Sequence, residues 1–201
     1  MQKKSTLLLS ILLVVMIFNV VSCKKKDVDV PVIIHPEMEY FNLNNTEIKA
    51  NTRGFSIDVN HDGRKDLSFH TLLVGDPINQ VDKLQFLIST NIQINLPVNS
   101  NEEIPVLNHG ESIVLSDFGD YHWFELSSIM LVQKITSFTA PPMWEGHWKN
   151  AVHKYLPYKV VENSNRYNGW VEISIDIPGE KVVVHQAAIS RVPNKIIKAG
   201  V

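Results

Sequence analysis

Residues 84–96 read LQFLISTNIQINL, and their alternation decides the fold. Leu84, Phe86, Ile88, Thr90, Ile92, Ile94 and Leu96 share one parity, and Gln85, Leu87, Ser89, Asn91, Gln93 and Asn95 the other. Successive side chains of a strand point to opposite faces. A period of two over this length therefore predicts one strand with one buried face, bent midway at Thr90-Asn91. The same period recurs on either side. Phe55, Ile57 and Val59 alternate with Ser56 and Asp58, and Val171, Ile173, Ile175 and Ile177 with Glu172, Ser174 and Asp176. Residues 67–74 and 181–189 are more continuously apolar, which predicts strands covered on both faces. Pro178-Gly179-Glu180 lies between two such runs and predicts a hairpin turn. The one short helix expected spans residues 144–155, with Pro141-Pro142 at its start. This pattern predicts an all-β chain: a mostly antiparallel, jelly-roll-like β-sandwich of about 9–12 strands with at most one short helix.

The N-terminus has a different character. Met1-Gln2-Lys3-Lys4 is short and basic, and residues 7–18 are apolar apart from Ser10. That length suits the apolar core of a signal peptide and falls short of the ~20 residues of a spanning helix. The run ends at Val20-Val21-Ser22-Cys23, which resembles the lipobox of bacterial lipoproteins. The resemblance implies cleavage after Ser22 and lipidation of Cys23, with acyl chains anchoring the protein to the cell envelope; the outer membrane of a two-membrane cell is the expected address, set by sorting signals just after Cys23. The uncleaved-anchor alternative is disfavoured by Asn19 and the short apolar run. Residues 1–22 are thus expected to be a lipoprotein signal peptide, 23–38 a lipidated tether (with a first edge strand at Val32-Ile33-Ile34 as an option) and 39–201 the β-sandwich domain.

Composition excludes several functions. Cys23 is the only cysteine, so no internal disulfide forms, and once lipidated it leaves no thiol for catalysis. Removal of residues 1–22 takes away Lys3 and Lys4 and no acid, leaving 17 basic and 21 acidic residues. No basic stripe follows Lys24-Lys25-Lys26, which argues against nucleic acid as a partner. Those three lysines suit solvation beside anionic head groups.

One segment carries ligand chemistry. In residues 58–66, Asp58, Asn60, Asp62 and Asp66 hold side-chain oxygens at positions 1, 3, 5 and 9, Gly63 takes position 6, and Arg64 offers its carbonyl at position 7. Calcium takes six to eight oxygen ligands, and acids at alternate positions of a tight loop gather them around one point. Position 12 is Phe69 rather than glutamate, so the loop is not a complete EF-hand. It resembles the DxNxDGxxD loops of FG-GAP-type propeller repeats and thrombospondin type 3 repeats, in a single copy. The expected role is structural, with Asp76, Asp82, Asp117 and Asp120 as candidate distal ligands. The plain alternative is a solvated Asn/Asp-Gly hairpin turn without metal.

Further on, Tyr167-Asn168-Gly169-Trp170-Val171-Glu172-Ile173, then His185-Gln186-Ala187-Ala188, Pro193-Asn194 and Ile197-Lys198-Ala199-Gly200 complete a pattern with the early loop. Together they resemble a group of uncharacterised secreted β-rich bacterial proteins with a YGW-type strand. Glu172 stands where that group has arginine, and the aromatic-rich strand is absent. The resemblance implies a β-rich fold and no activity.

The densest aromatic and histidine patch is Trp144, Glu145, His147, Trp148 and His153. It reads as tryptophans sealing one end of the sandwich, as a glycan-binding platform joined by Trp123, as an acid–base pair of Glu145 with His147 or His153, or as a metal site of His147 and His153. Asp117-Phe118-Gly119 has none of the companion motifs of a kinase. The sequence therefore predicts a lipid-anchored envelope protein, more readily a non-enzymatic module binding a ligand, glycan or envelope protein than a hydrolase of envelope polymers.

Overall fold

In the computed structural model the 84–96 alternation is carried by two strands in two different sheets. Residues 36–125 and 128–201 are described, all within the compact unit His35–Val201. The signal segment, Cys23, the tether to residue 35 and the optional strand at Val32-Ile33-Ile34 lie outside them.

The strands run β1 Met38–Lys49, β2 Phe55–Ile57, β3 Leu67–Asp76, β4 Val81–Thr90, β5 Ile94–Val98, β6 Ser112–Ile113 and β7 His122–Glu125. They continue as β8 Ser128–Ser137, β9 Met143–Glu145, β10 Lys154–Glu162, β11 Asn165–Asp176, β12 Lys181–Ser190 and β13 Ile197–Lys198. A six-stranded sheet has the order β1-β12-β11-β10-β5-β7, and a five-stranded sheet the order β2-β3-β4-β8-β9. Their strand pairs are antiparallel. The chain is an all-β sandwich. The strand count exceeds the expectation because β2, β6, β9 and β13 are only two or three residues long.

The chain leaves β4 at Thr90, turns at Asn91, where the amide of Asn91 donates to the carbonyl of Asp66, and enters the other sheet at Ile94. Phe86 and Ile88 on one side and Ile94 and Leu96 on the other fill the same core. That core lies between the sheets and includes Leu67, Phe69, Val132, Trp148, Leu156, Tyr158, Val171, Ile173 and Val184, all 0 or 1% exposed.

A second, smaller core sits on the outer side of the six-stranded sheet, where Trp170, Tyr155 and Ala188 meet Leu107, Ile113, Ile197 and Ala199. The β6–β13 ribbon supplies the last group: Ile197 pairs with Ile113, and the amide of Ala199 donates to the Glu111 carbonyl. Trp170 stands edge-on to Tyr155 at 5.2 Å. Gly169 beside it cannot be larger, because a Cβ would meet the Tyr158 ring and lie 2.6 Å from the Ala188 carbonyl oxygen. The Asn-Gly-Trp stretch is therefore the seam between the two cores.

Two further expectations need correction, and one holds. Residues 144–155 form no helix. Trp144 and Glu145 are in β9, Gly146 follows at φ 127°, outside helical space, and a turn drops Trp148 into the core. Residues 67–74 are not covered on both faces, since Leu72 is 50% and Leu73 66% exposed. The apolar run overstates burial because the strand outruns the facing core. The Pro178-Gly179-Glu180 hairpin does join β11 to β12, closed by Glu180 donating to Ile177.

Candidate functional site

The 58–66 segment is the loop between β2 and β3, which pair Ile57 with Leu67. Its side chains bind its own backbone in sequence. Asp58 Oδ2 accepts from the Gly63 amide at 2.9 Å, Asn60 Oδ1 from Asp62 at 3.2 Å, and Asp62 Oδ1 from Arg64 at 2.8 Å. His61 (φ 59°) and Gly63 (φ 85°) take left-handed conformations that let the chain curl. Each acid or amide spends one oxygen on closure. Asp58 Oδ1 is then left buried with no hydrogen-bond partner. A buried carboxylate oxygen without a donor is costly, and a cation at the loop centre would satisfy it.

Asp66 does different work. It is 1% exposed; its Oδ2 accepts from the Val59 amide at 2.7 Å and its Oδ1 from Asn91 Nδ2 at 2.6 Å. Burial raises its pKa against the pull of those donors. It ties the loop to the β4–β5 crossover. His61 Nε2 meets Glu39 Oε1 at 2.8 Å, joining the loop to β1. Among the described residues no group of three or more His, Cys, Asp or Glu is gathered for a metal. The loop's remaining donors are thus Asn60, the Asp62 carboxylate and the Arg64 carbonyl. The distal acids do not complete the set. Asp76 and Asp82 lie at the far end of the β3–β4 hairpin, Asp117 is taken by His122 and the Trp123 amide, and Asp120 sits with Val98, Asn99 and His122 at the β5–β7 end.

The aromatic and histidine patch does not assemble into one site. Trp148 is buried and donates its indole N–H to the Ile104 carbonyl at 3.0 Å. Trp144 turns inward and stacks on Phe86 at 5.7 Å. Glu145 points outward and accepts from Gln133 Nε2 at 2.6 Å. His147 Nδ1 stands 3.8 Å from Glu103. His153 lies just before β10 of the other sheet, and its Nδ1 meets Glu172 Oε1 at 2.6 Å.

That last contact opens a cluster which periodicity did not reveal. β1 bulges between Asn42 and Thr46, with Asn44 and Asn45 left-handed, and β12 bulges at His185 opposite Ile173 and Glu172. The coincident bulges bring His185 Nδ1 to Asn45 Oδ1 at 2.7 Å and His185 Nε2 to Ser174 Oγ at 2.8 Å. An amide carbonyl only accepts, so Nδ1 carries the proton and Nε2 receives the Ser174 hydroxyl. Burial, together with the stacked His153 ring at 4.3 Å, lowers the pKa of His185. The order serine, imidazole, orienting carbonyl is that of an activated nucleophile. Here, however, Ser174 Oγ also accepts the His153 amide at 2.8 Å, and Glu172 is held by Gln186 Nε2 at 2.6 Å. With donor and acceptor both engaged, the trio locks two bulges together. The sequence signal was present in the outward parity of Glu172 and Ser174. Their partners depend on bulges that alternation does not encode.

The outer face of the five-stranded sheet is different again. Cross-strand register aligns Leu72, Gln85, Gln133 and Glu145 in one row and Val74, Lys83, Ile135 and Met143 in the next. Gln85 Nε2 donates to Gln133 Oε1 at 3.1 Å, and Gln133 passes the chain on to Glu145. Leu72 and Met143 are about half exposed, and no described strand covers this face. At its far end Ile78 and Phe138 are almost fully exposed, beside a groove of about 420 Å³ between residues 75–82 and 136–138.

Comparison with protein-family models, with characterised proteins and with solved structures finds no match. No described helix is long and apolar enough to cross a membrane.

Proposed function

We propose that this chain is a lipid-anchored envelope protein, held through Cys23, whose sandwich domain is a non-enzymatic module binding a protein partner on the outer face of its five-stranded sheet. The observation that carries this reading is the bare face itself. Leu72, Val74, Leu87, Met130, Ile135 and Met143 share it with the Gln85–Gln133–Glu145 chain. Apolar side chains around a hydrogen-bonding centre are what a protein interface uses. A glycan would call for aromatic platforms; Trp144 and Trp148 are turned inward, and Trp123 lies in the other sheet with Lys159 over its ring. The hydrolase alternative requires Glu145 beside a histidine acid–base partner. Glu145 bonds Gln133, His147 stands by Glu103, and His153 bonds Glu172 in the other sheet.

Calcium fits this reading as a clamp on the β2–β3 loop. Asp58, Asn60, Asp62 and the Arg64 carbonyl would hold it, with Asp66 as the buried strut behind them. The ion would supply charge neutralisation and loop closure.

The test is a photo-crosslinking residue placed in turn at positions 85, 135 and 143 of the full chain in its own envelope, on the face but away from the β3 edge. One crosslinked species is expected from all three positions, absent from position 152 on the opposite side and abolished by Leu72→Glu. Crosslinking that ignores Leu72→Glu would reject the face. Partition into a detergent phase that survives Cys23→Ala would reject the anchor.

A further inference from the structure

The free edge of β3 carries an inference beyond that binding face. On one side β3 pairs with β4 along its whole length, from Leu67↔Thr90 to Asp76↔Val81. On the other it pairs with β2 only over Leu67, Ser68 and Phe69. Gly54 closes the edge as far as His70, since a Cβ there would lie 2.9 Å from the Phe69 carbonyl oxygen and 3.1 Å from His70 Cβ. Beyond it, no described strand pairs with the edge at residues 71–76. The exposed side chains there are apolar: Leu72, Leu73 and Val74. Monomeric proteins usually blunt such an edge with charge, proline or a bulge, because its unpaired amides and carbonyls recruit another strand.

We infer that this edge pairs with its own copy, antiparallel about a twofold axis at Leu73, joining two five-stranded sheets into one ten-stranded sheet. A twofold axis normal to the sheet keeps like faces together and sets each residue opposite its mirror position. With Leu73 at the centre, Leu72 faces Val74 of the second copy, and His70 faces Asp76. Every outward position then meets a complementary one: apolar against apolar, imidazole against carboxylate. Asp76 is suited to that role. Its hydrogen bonds from Asn79 and the Lys83 ammonium hold its pKa down at about 2, so it is ionised. Those three bonds leave one of its four lone-pair sites for the imidazole. Inward, Thr71 faces Gly75, and Leu73 meets its own copy. Centring on Leu72 or Val74 instead would set His70 against Val74 or Leu72 against Asp76, and the complementarity is lost.

The register can be read with single cysteines, because Cys23 is the only native one and the lipid reading removes its thiol. Directly opposed residues of an antiparallel pair have Cα atoms about 4.5–5.5 Å apart, within disulfide range. The full chain carrying Leu73→Cys, oxidised in its membrane, is expected to form a covalent homodimer. Thr71→Cys and Gly75→Cys should each stay monomeric alone and crosslink when co-expressed. His70→Glu, which sets two carboxylates face to face, should cut the Leu73→Cys dimer at least tenfold, and His70→Lys should retain it. A Leu73→Cys chain that melts like wild type yet stays monomeric would overturn the inference. So would Thr71→Cys dimerising alone, or Leu73→Cys joining a different protein. The unsubstituted chain is the control for the anchor: if it dimerises through Cys23, the lipid reading fails, and the register is then read on a Cys23→Ser background.

Discussion

The two sheets of this sandwich treat their outer faces in opposite ways. The six-stranded sheet buries Trp170, Tyr155 and Ala188 under the β6–β13 ribbon and the last residues of the chain. The five-stranded sheet leaves Leu72, Val74 and Met143 in solvent. Both outward surfaces carry apolar side chains, and the described residues cover one of them. Covered side chains are there for stability, and a mutation beneath the ribbon should be felt throughout the fold. Uncovered apolar side chains contribute little to the isolated molecule and are free to serve contact with another.

The largest effect should come from the covered side. Trp170→Ala removes the centre of the second core and should cost about 3–5 kcal/mol, as large aromatic truncations do; denaturant unfolding measures it. A loss below 1 kcal/mol would make the ribbon an ornament and erase the contrast. Next comes the loop. If it binds calcium, free ion at a hundred times Kd should raise stability by about 2.7 kcal/mol, and an Asp58→Ala, Asp62→Ala variant should lose that gain in calorimetry. An equal gain in the variant would move the ion elsewhere. Asp66→Ala strands the buried Val59 amide and should cost about 1–3 kcal/mol even with chelator present, which separates the strut from the metal.

A smaller, pH-dependent effect belongs to the covered sheet. Lys159 lies under Trp123, with Nζ 3.8 Å from the ring centre, and donates to the Leu115 carbonyl at 2.8 Å. Desolvation, then the nearby Arg166 charge, bring its pKa from 10.5 down to about 8. Between these values the unfolded chain binds more protons than the folded one, so stability should rise as pH increases from about 8 toward 10. Lys159→Met should flatten that slope in thermal melts across the window, and an unchanged slope would discard the assignment. Smallest of all, Leu72→Ser should shift stability by no more than about 0.5 kcal/mol while removing the crosslinks of the bare face.

How much of this was legible depended on what alternation encodes. It reports which side chains face a core, and it does so correctly for Phe86, Ile88, Ile94 and Leu96. It does not report which sheet they belong to. A chain that crosses from one layer to the other keeps the same side inward, so two strands read as one bent strand. The 58–66 loop was legible because its chemistry is local, each oxygen reaching a backbone amide a few residues on. The helix reading at 144–155 failed because Gly146 and the burial of Trp148 depend on the facing strand: a Cβ at 146 would lie 2.7 Å from the Leu131 carbonyl oxygen. The Ser174–His185–Asn45 lock was illegible for the same reason, being made by two bulges in register across strands far apart in sequence.

That long-range pairing has a consequence for biogenesis. β1 is hydrogen-bonded to β12, Met38 to Ser190 and Lys49 to Lys181. If the chain is exported as proposed, threaded N-terminus first, β1 emerges well before β12, its only sheet partner among the described residues. Until then β1 waits with both edges open, and pairing of such high contact order is slow once it begins. The six-stranded sheet therefore cannot close until β12 has emerged. That delay leaves a window in which a holding chaperone would find the first strand unclaimed.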